Sequence, residues 1–224
     1  MTRNDDDPQG GGSPASPPCL LHELDPAISG LTDAQTAIDV ARWRRAERVR
    51  LIAARQAMPV SARRSADARL VAALTERLGA LTDRTVGLYW PFRGEPDLRG
   101  WAADRRRDGA RILLPVVLRK DAPLVFRLWT GEAALERGVW NIPVPPLSAP
   151  EQVPEVVIAP VVGAGDGSYR LGYGGGFYDR TLAALRAAGR RPLVIGVGYA
   201  FQRIPTIFPQ PHDVAMDETI LVAP

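Results

Sequence analysis

The chain contains 224 residues, of which 46% are hydrophobic and 24% are charged, and these proportions are ordinary for a globular protein. Its formal net charge is only +3, and Lys120 is the one lysine among 28 basic residues. The single cysteine, Cys19, excludes an internal disulfide, and there is no apolar run of about 18 residues to span a membrane. We therefore expect a cytoplasmic protein in which arginine holds any bound phosphate, although a coding bias toward arginine explains this composition equally well.

The first 31 residues are predicted to form a disordered leader. The chain begins MTRNDDDPQGGGSPASPPC, which is acidic and rich in proline and glycine, a composition that buries too little apolar surface to fold. This segment also lacks the apolar stretch of a secretory signal. Residues 32–224 are predicted to form one α/β domain.

A long helix is predicted to open this domain. Thr32 and Gln35 have the spacing of a capping box, and the helix is expected to run toward Met58 and to stop at Pro59.

Three arginines of this helix form a basic stripe. At 100° per residue, Arg44, Arg48 and Arg55 fall within about 40° of one another. A stripe of this kind is suited to face an anion, and a solvated helix face is the alternative.

Helices and apolar strands alternate along the rest of the chain. Ser61 and Asp97 are expected to cap two helices, and Leu70, Leu74 and Leu78 repeat every four residues and should pack inward. The alternation predicts a three-layer α/β/α fold with an open, mostly parallel, Rossmann-like sheet. The predicted elements are helices over 61–78, 97–108 and 177–188, strands over 85–92, 110–117, 124–129, 155–162, 192–199 and 219–223, and a proline-rich loop over 138–154.

The sequence RLGYGGGFYDR, residues 170–180, places four glycines between a buried strand and a helix. In such a turn, backbone N–H groups and the positive end of the helix dipole attract an anion. Glycine allows the anion to approach the main chain closely. The sequence therefore predicts a phosphate-binding loop.

Other interpretations of these glycines stay open. A Walker A loop ends in GK[ST], where FYD stands here, so that motif fits poorly. A dinucleotide fingerprint needs a third glycine at the position of Phe177, and it also fits poorly. A tight turn that binds no ligand is the third alternative.

Two acids are candidates for holding Mg²⁺ beside the phosphate. Asp179 lies in the first turn of the helix after the loop, where a carboxylate also stabilises the helix dipole without a metal. His212 and Asp213 follow the last buried strand and are able to approach the same end of the sheet. Mg²⁺ binds through one or two carboxylates together with phosphate oxygens.

The stretch RLGYGGGFYDRTL resembles the R-L-G-x-G-x-G-[YF]-Y-D signature of the 5-formyltetrahydrofolate cyclo-ligase family, also called methenyltetrahydrofolate synthetases. Supporting segments occur in the expected order, namely the arginine-rich helix, LYWPFRGEPD, LLPVV, YAFQ and the late HD pair. The resemblance covers the chain from about Arg44 to its end. It implies the NagB/RpiA/CoA-transferase-like form of the α/β/α fold.

The resemblance further implies an enzyme that uses ATP and Mg²⁺ to convert 5-formyltetrahydrofolate to 5,10-methenyltetrahydrofolate, releasing ADP and phosphate. In the family's mechanism the formyl oxygen attacks the γ-phosphate, N10 closes on the activated carbon, and phosphate leaves. The implied partner is this small-molecule folate, with no nucleic acid and no membrane, and the implied state is a monomer.

Site residues are implied in the same way. Arg170 and Tyr178 are the implied catalytic residues, and Asp179 and Asp213 are the implied Mg²⁺ ligands. The implied ATP-binding residues are Arg44, Arg48, Arg170, Leu171, Gly172, Tyr173, Gly174, Gly175, Gly176, Phe177 and Tyr178. The implied folate-binding residues are Trp90, Glu95, Tyr173, Gly174 and Phe177. Strand-end packing for Trp90 and a turn for Glu95 are the purely structural alternatives.

Two further functions stay open at the level of sequence. Val144 and Gln210 stand where the family usually has glutamate, which leaves room for a diverged ATP-dependent ligase or kinase acting on another folate-like heterocycle. The arginine-rich helix leaves room for a non-catalytic protein that binds nucleic acid or a regulatory partner.

Overall fold

A computed structural model describes residues 34–223 of the protein. The predicted leader and Thr32, one half of the predicted capping box, lie outside these residues. The chain divides into two compact units, of which the first ends at Glu47 and the second begins at Arg48.

In the first unit, Asp39 is the acceptor for two neighbouring side chains. Its Oδ1 accepts hydrogen bonds from Gln35 Nε2 at 3.1 Å and from Arg42 Nη2 at 2.9 Å. These contacts join residues three and four positions apart, as expected on one side of a helix.

The helices and strands of the described residues follow the predicted order. The helices are α1 (Ala34–Ala57), α2 (Val60–Leu78), α3 (Arg99–Arg107) and α4 (Phe177–Ala187). The strands are β1 (Thr85–Gly87), β2 (Arg111–Val116), β3 (Val125–Leu128), β4 (Glu136–Arg137), β5 (Pro143–Val144), β6 (Val156–Pro160), β7 (Gly163–Ala164), β8 (Arg170–Leu171), β9 (Leu193–Tyr199) and β10 (Glu218–Val222).

The main sheet has six strands in the order β10-β9-β6-β1-β2-β3. Its strands are parallel except for β3, which pairs antiparallel with β2 at the edge. In the centre, Val86 of β1 pairs with Ile112 on one side and with Val156 on the other. The predicted open, mostly parallel sheet is therefore confirmed.

Side chains of successive strand residues point to opposite faces of this sheet, which gives the protein two cores. Val156 and Ile158 pack with Leu70 of α2 and Trp101 of α3 in one core. The alternate residues of β6 pack with Leu182 of α4 in the other core. Helices thus cover both faces, and the predicted three-layer α/β/α class is confirmed.

Two predicted helix caps differ from the structure. Helix α2 begins at Val60 with Pro59 at its N-cap, so the prediction that Ser61 caps it was wrong. Pro59 suits a helix start because its φ is fixed near the helical value and it has no N–H to satisfy. Asp97 lies one residue before the N-cap of α3, yet its Oδ1 still accepts a 3.0 Å hydrogen bond from the Arg99 amide.

Several predicted boundaries also shift. The first strand ends at Gly87 instead of 92, although the Leu88 amide still donates to the Leu113 carbonyl at 2.8 Å. The segment 138–154 is mainly irregular, as predicted, but it includes β5, which pairs with β4. The glycine loop does not follow β6 directly, because the short hairpin of β7 and β8 lies between them.

Within the described part of the chain, no helix is both long and apolar enough to cross a membrane.

Candidate active site

The candidate site lies where the order of the sheet strands reverses. From β1 the chain continues to β2 on one side, and it later returns to β6 on the other side of β1. Ligands of open α/β sheets bind outside the carboxyl ends of the strands at such a switch point. Glu95 follows the carboxyl end of β1, and the glycine loop follows β6 through its hairpin, so both belong to this edge.

The backbone of the glycine loop requires glycine at two positions. Gly174 has φ of +95°, and Gly176 has φ of +63° at the N-cap of α4. Residues with a Cβ rarely adopt these conformations. The bend leads into the first turn of an eleven-residue helix, whose free amides and positive dipole end are suited to an anion.

Two arginines are fixed against this loop. Arg48 Nε donates to the Gly172 carbonyl oxygen at 2.6 Å, and a Cβ added at Gly174 would lie 3.4 Å from Cζ of Arg48. The guanidinium of Arg170 lies over the Tyr178 ring at 4.7 Å and contacts Asp179 Oδ2 at 3.4 Å. The two arginines surround the loop with positive charge.

Arg55 is completely buried, with 0% of its surface exposed. Its Nε donates to the Arg93 carbonyl at 3.0 Å, and its Nη1 donates to the Val161 carbonyl at 3.2 Å. Its Nη2 donates to the hydroxyl of Tyr173 in the glycine loop. The alternative of a solvated helix face is therefore wrong for Arg55.

Glu95 is a buried carboxylate held by three neighbours. Its Oε2 accepts from the Phe92 amide at 2.9 Å, and its Oε1 accepts from the Tyr173 hydroxyl at 2.9 Å. Arg55 Nη2 lies 3.9 Å from the same Oε1. Burial raises the pKa of Glu95 from 4.5 to about 7, although Arg55 and the two hydrogen bonds oppose this rise. The group can therefore gain or lose a proton near neutral pH.

Three aromatic rings gather beside this carboxylate. Phe92 and Trp140 are nearly parallel, with ring centroids 6.4 Å apart and planes inclined by 10°. Tyr173 lies 5.9 Å from Phe92 and 6.4 Å from Trp140. Trp140 is 56% exposed, so part of this cluster reaches the solvent.

Trp90, which was predicted to flank a bound ring, lies in different surroundings. Its ring meets Trp129 edge to face at 5.7 Å and has Arg99 over it at 5.2 Å. It also packs against the core formed with α2 and α3. Its role in binding stays a prediction.

Asp179, one of the two acids predicted to hold Mg²⁺, contacts the main chain next to the other, Asp213. Asp179 Oδ1 accepts a 3.2 Å hydrogen bond from the amide of Val214, the residue that follows Asp213. Asp213 in turn accepts from the Gln210 amide at 2.6 Å. Among residues 34–223, no three His, Cys, Asp or Glu side chains cluster around a possible metal position. The role of Asp179 and Asp213 as Mg²⁺ ligands stays a prediction.

The structure also gives the surroundings of other residues named in the sequence analysis. Tyr178 has a buried hydroxyl without a hydrogen-bond partner, and burial raises its pKa above the usual value. Phe177 opens α4 and packs against the second core, while its ring also carries the Arg180 guanidinium at 5.3 Å. His212 is 75% exposed at its side chain. Arg44 belongs to the first unit, and its predicted role stays a prediction.

Sequence reasoning did not assign Arg55, Phe92 or Trp140 to the site. Arg55 had a signal, because it shares the basic stripe with Arg48. Phe92 lies three residues before Glu95 and was assigned to a strand. Trp140 lies in a proline-rich segment whose sequence does not indicate which part of the fold it contacts. Its position beside Tyr173 is therefore known only from the structure.

Comparisons with known proteins identify the family and the fold. The sequence model of the 5-formyltetrahydrofolate cyclo-ligase family matches residues 40–222. A 5-formyltetrahydrofolate cyclo-ligase of Mycolicibacterium smegmatis is 33% identical over 148 residues, which are 62% of this chain and 74% of that protein. The fold is similar to that of the 5,10-methenyltetrahydrofolate synthetase of Aquifex aeolicus, with a TM-score of 0.68, 24% identity, and coverage of 80% of this chain and 89% of the other. The synthetase of Mycoplasma pneumoniae gives a TM-score of 0.60 at 24% identity, with coverage of 79% and 97%.

Proposed function

The chain belongs to the 5-formyltetrahydrofolate cyclo-ligase family, and on this premise we propose that it converts 5-formyltetrahydrofolate to 5,10-methenyltetrahydrofolate with release of ADP and phosphate. The observation that carries the proposal is the hydrogen bond between Tyr173 and Glu95. It joins the glycine loop, which is suited to phosphate, to a buried acid in the segment proposed to bind folate. A phosphoryl donor and its acceptor would thus meet at one edge of the sheet.

The phosphate subsite is proposed at the bend from Gly172 to Gly176. The positive φ values at Gly174 and Gly176 turn the chain into the first turn of α4, where free amides attract anions. Arg48 and Arg170 add planar, permanently charged groups that bind two phosphate oxygens at once. Transfer of a phosphoryl group depends mainly on positioning and charge stabilisation, and this set of groups supplies both.

The folate subsite is proposed beside Glu95. The aromatic cluster of Phe92, Trp140 and Tyr173 offers flat apolar surface to a heterocyclic ring. Glu95 supplies the polar contact within that surface. A pocket with a large apolar area and few well-placed polar groups is the usual form of a small-molecule site.

Chemistry assigns a further role to Glu95. During ring closure the formyl oxygen leaves as phosphate and N10 loses its proton, so an acceptor for that proton is needed. A carboxyl group with a pKa of about 7 is suited to this task near neutral pH. We assign the proton to Glu95, while Arg48 and Arg170 stabilise the negative charge on the phosphates.

Mg²⁺ is proposed at Asp179 and Asp213. When bound, it would neutralise charge on the phosphates of ATP. Asp179 is held for this purpose by the Val214 amide, and Asp213 is held by the Gln210 amide. Arg170 lies 3.4 Å from Asp179 Oδ2, so the groups proposed to bind phosphate and metal adjoin each other.

The test is turnover of purified protein with 5-formyltetrahydrofolate, ATP and Mg²⁺, followed by the absorbance of methenyltetrahydrofolate and the release of phosphate. Both signals are expected, and both should require all three additions. Turnover of ATP with a different folate-like compound, but not with 5-formyltetrahydrofolate, would support the diverged ligase or kinase, which Val144 and Gln210 favour. No ATP binding at all, together with salt-dependent binding of RNA or DNA, would replace the enzyme by a binding protein.

A further inference from the structure

The buried guanidinium of Arg55 connects the two proposed subsites. It has no exposed surface, and its three nitrogens contact Arg93, Val161 and Tyr173. Two of these contacts are to carbonyl oxygens of the segments that follow β1 and β6, and they account for a structural role. Burying a charged group costs roughly several kcal/mol. A link between two loops therefore does not by itself explain why a charged arginine lies at this position.

The third contact fixes the direction of a hydrogen bond. A guanidinium has donors and no acceptor, so the Tyr173 oxygen must accept from Arg55. The tyrosine has one hydroxyl proton left to donate, and the Glu95 Oε1 lies 2.9 Å away. The Phe92 carbonyl, at 3.5 Å, is the poorer acceptor. Arg55 therefore turns the tyrosine proton toward Glu95.

We propose that Arg55 is a positioning residue for ring closure, which acts on the folate through Tyr173 and Glu95. It orients the Tyr173 hydroxyl and balances the charge of Glu95, so that Glu95 faces the folate as a carboxylate able to accept the N10 proton. This inference rests on the proposed function. Arg55 itself does not need to touch either substrate.

Electrostatics around Glu95 supports this role. Burial raises the pKa of Glu95, and Arg55 is the strongest of the groups that lower it. The other groups that lower it are the Phe92 amide, Tyr173 and Arg170. The negative charge of Glu95 in turn helps to raise the pKa of the Tyr89 and Tyr178 hydroxyls. Without Arg55, the pKa of Glu95 would rise further, and less of the enzyme would carry the proton acceptor at neutral pH.

The experiment compares wild type, Arg55→Met and Arg55→Lys with a matched control, Arg127→Met. Arg127 is also a buried arginine, and it binds the carbonyls of Leu147 and Ala149 away from Glu95. The first readout is the carboxyl ¹³C shift of Glu95 against pH in the free protein, assigned with Glu95→Gln. The second is the pH profile of kcat/KM.

Arg55→Met is expected to move the titration midpoint of Glu95 and the acidic limb of the profile upward by about 1–3 pH units, the usual effect of losing a close opposite charge. Arg55→Lys keeps the positive charge, so the titration midpoint of Glu95 should return most of the way to the wild-type value. It lacks the planar guanidinium, so kcat/KM should recover less. Arg127→Met should reduce stability and leave both readouts in place. An unmoved midpoint in folded Arg55→Met, or an equal shift in Arg127→Met, would overturn the proposal.

Tyr173→Phe provides a second test if Arg55→Met does not fold. It removes one oxygen and the hydrogen bond to Glu95, so the midpoint should again rise, by less than in Arg55→Met. No rise in this variant would equally overturn the proposal. Failure of the proposed function is a different result, since it would give no product from wild type at any pH, whereas failure of this inference leaves wild-type turnover intact.

Discussion

The hydroxyl of Tyr173 donates a 2.9 Å hydrogen bond to the carboxylate of Glu95 across 78 positions of sequence. One partner belongs to the glycine loop after β6, and the other belongs to the turn after β1. Because β1 and β6 are parallel neighbours, their carboxyl ends open on the same edge of the sheet. The contact therefore joins the bend proposed to bind phosphate to the acid proposed to bind folate.

Gly174→Val is expected to weaken ATP binding at least tenfold, roughly 1.4 kcal/mol. The added side chain would occupy the path of the phosphates beside Arg48, and φ of +95° is unfavourable for a β-branched residue. Calorimetric titration with a non-hydrolysable ATP analogue and Mg²⁺ measures the effect.

Gly189→Val is the matched control for this change. Gly189 has φ of +71°, and a Cβ added there would meet nothing within 4 Å. This variant should lose stability through the same kind of backbone strain and still bind the analogue as wild type does. Equal losses of affinity in the two variants would argue against a phosphate subsite at the loop.

Trp140→Ala is expected to weaken binding of 5-formyltetrahydrofolate by roughly 0.5–1.5 kcal/mol, the contribution of a stacked aromatic pair. Trp140 is exposed and forms one side of the cluster with Phe92 and Tyr173, so its loss removes apolar surface from the folate subsite. ATP affinity should not change. Leu147→Ala, at an exposed apolar residue of the same segment, is the control, and a similar loss there would contradict the assignment.

Asp179→Asn is expected to raise the Mg²⁺ concentration needed for half-maximal turnover, by roughly tenfold or more. The amide oxygen can still accept from the Val214 amide, so the local backbone is preserved while the charge beside Arg170 is lost. Removal of Mg²⁺ with a chelator should stop turnover in wild type. Asp217→Asn, at another carboxylate that accepts from a main-chain amide, should leave the Mg²⁺ requirement unchanged.

Glu95 is expected to make stability depend on pH. Its pKa is about 7 in the folded chain and 4.5 as the reference for the unfolded chain, so the unfolded state loses the proton first as pH rises. The contribution of protonated Glu95 is fully present below about pH 4.5 and declines until about pH 7. Across this window, the stability of wild type relative to Glu95→Gln should fall by roughly 3 kcal/mol.

Urea denaturation of both proteins at several pH values measures this difference, because the other titrating groups largely cancel in the comparison. A difference that stays constant from pH 4.5 to pH 7 would show that the pKa of Glu95 is not raised by folding.

The main elements could be predicted because their signals are local. Each of these signals predicts the conformation of the stretch in which it occurs. Examples are the apolar run over β6, the four-residue repeat of Leu70 and Leu74, and the glycines before α4. The first and last residues of helices and strands were predicted less accurately, because a local pattern does not mark the exact residue at which an element begins or ends. Helix α2 begins at Val60 and not at Ser61, and its N-cap is Pro59, whose fixed φ suits a helix start but which supplies no side-chain cap.

The sequence by itself determined the fold class, the family resemblance, the glycine loop and the candidate acids, because periodicity, glycine and residue order are properties of short stretches. Only the tertiary structure decided that Arg55 is buried against Tyr173, that Glu95 has a pKa near neutrality, and that Trp140 closes on Phe92. These features depend on which distant segments meet and on how completely water is excluded between them. Burial and charge pairing arise when the strands assemble, and no single stretch of the chain encodes them.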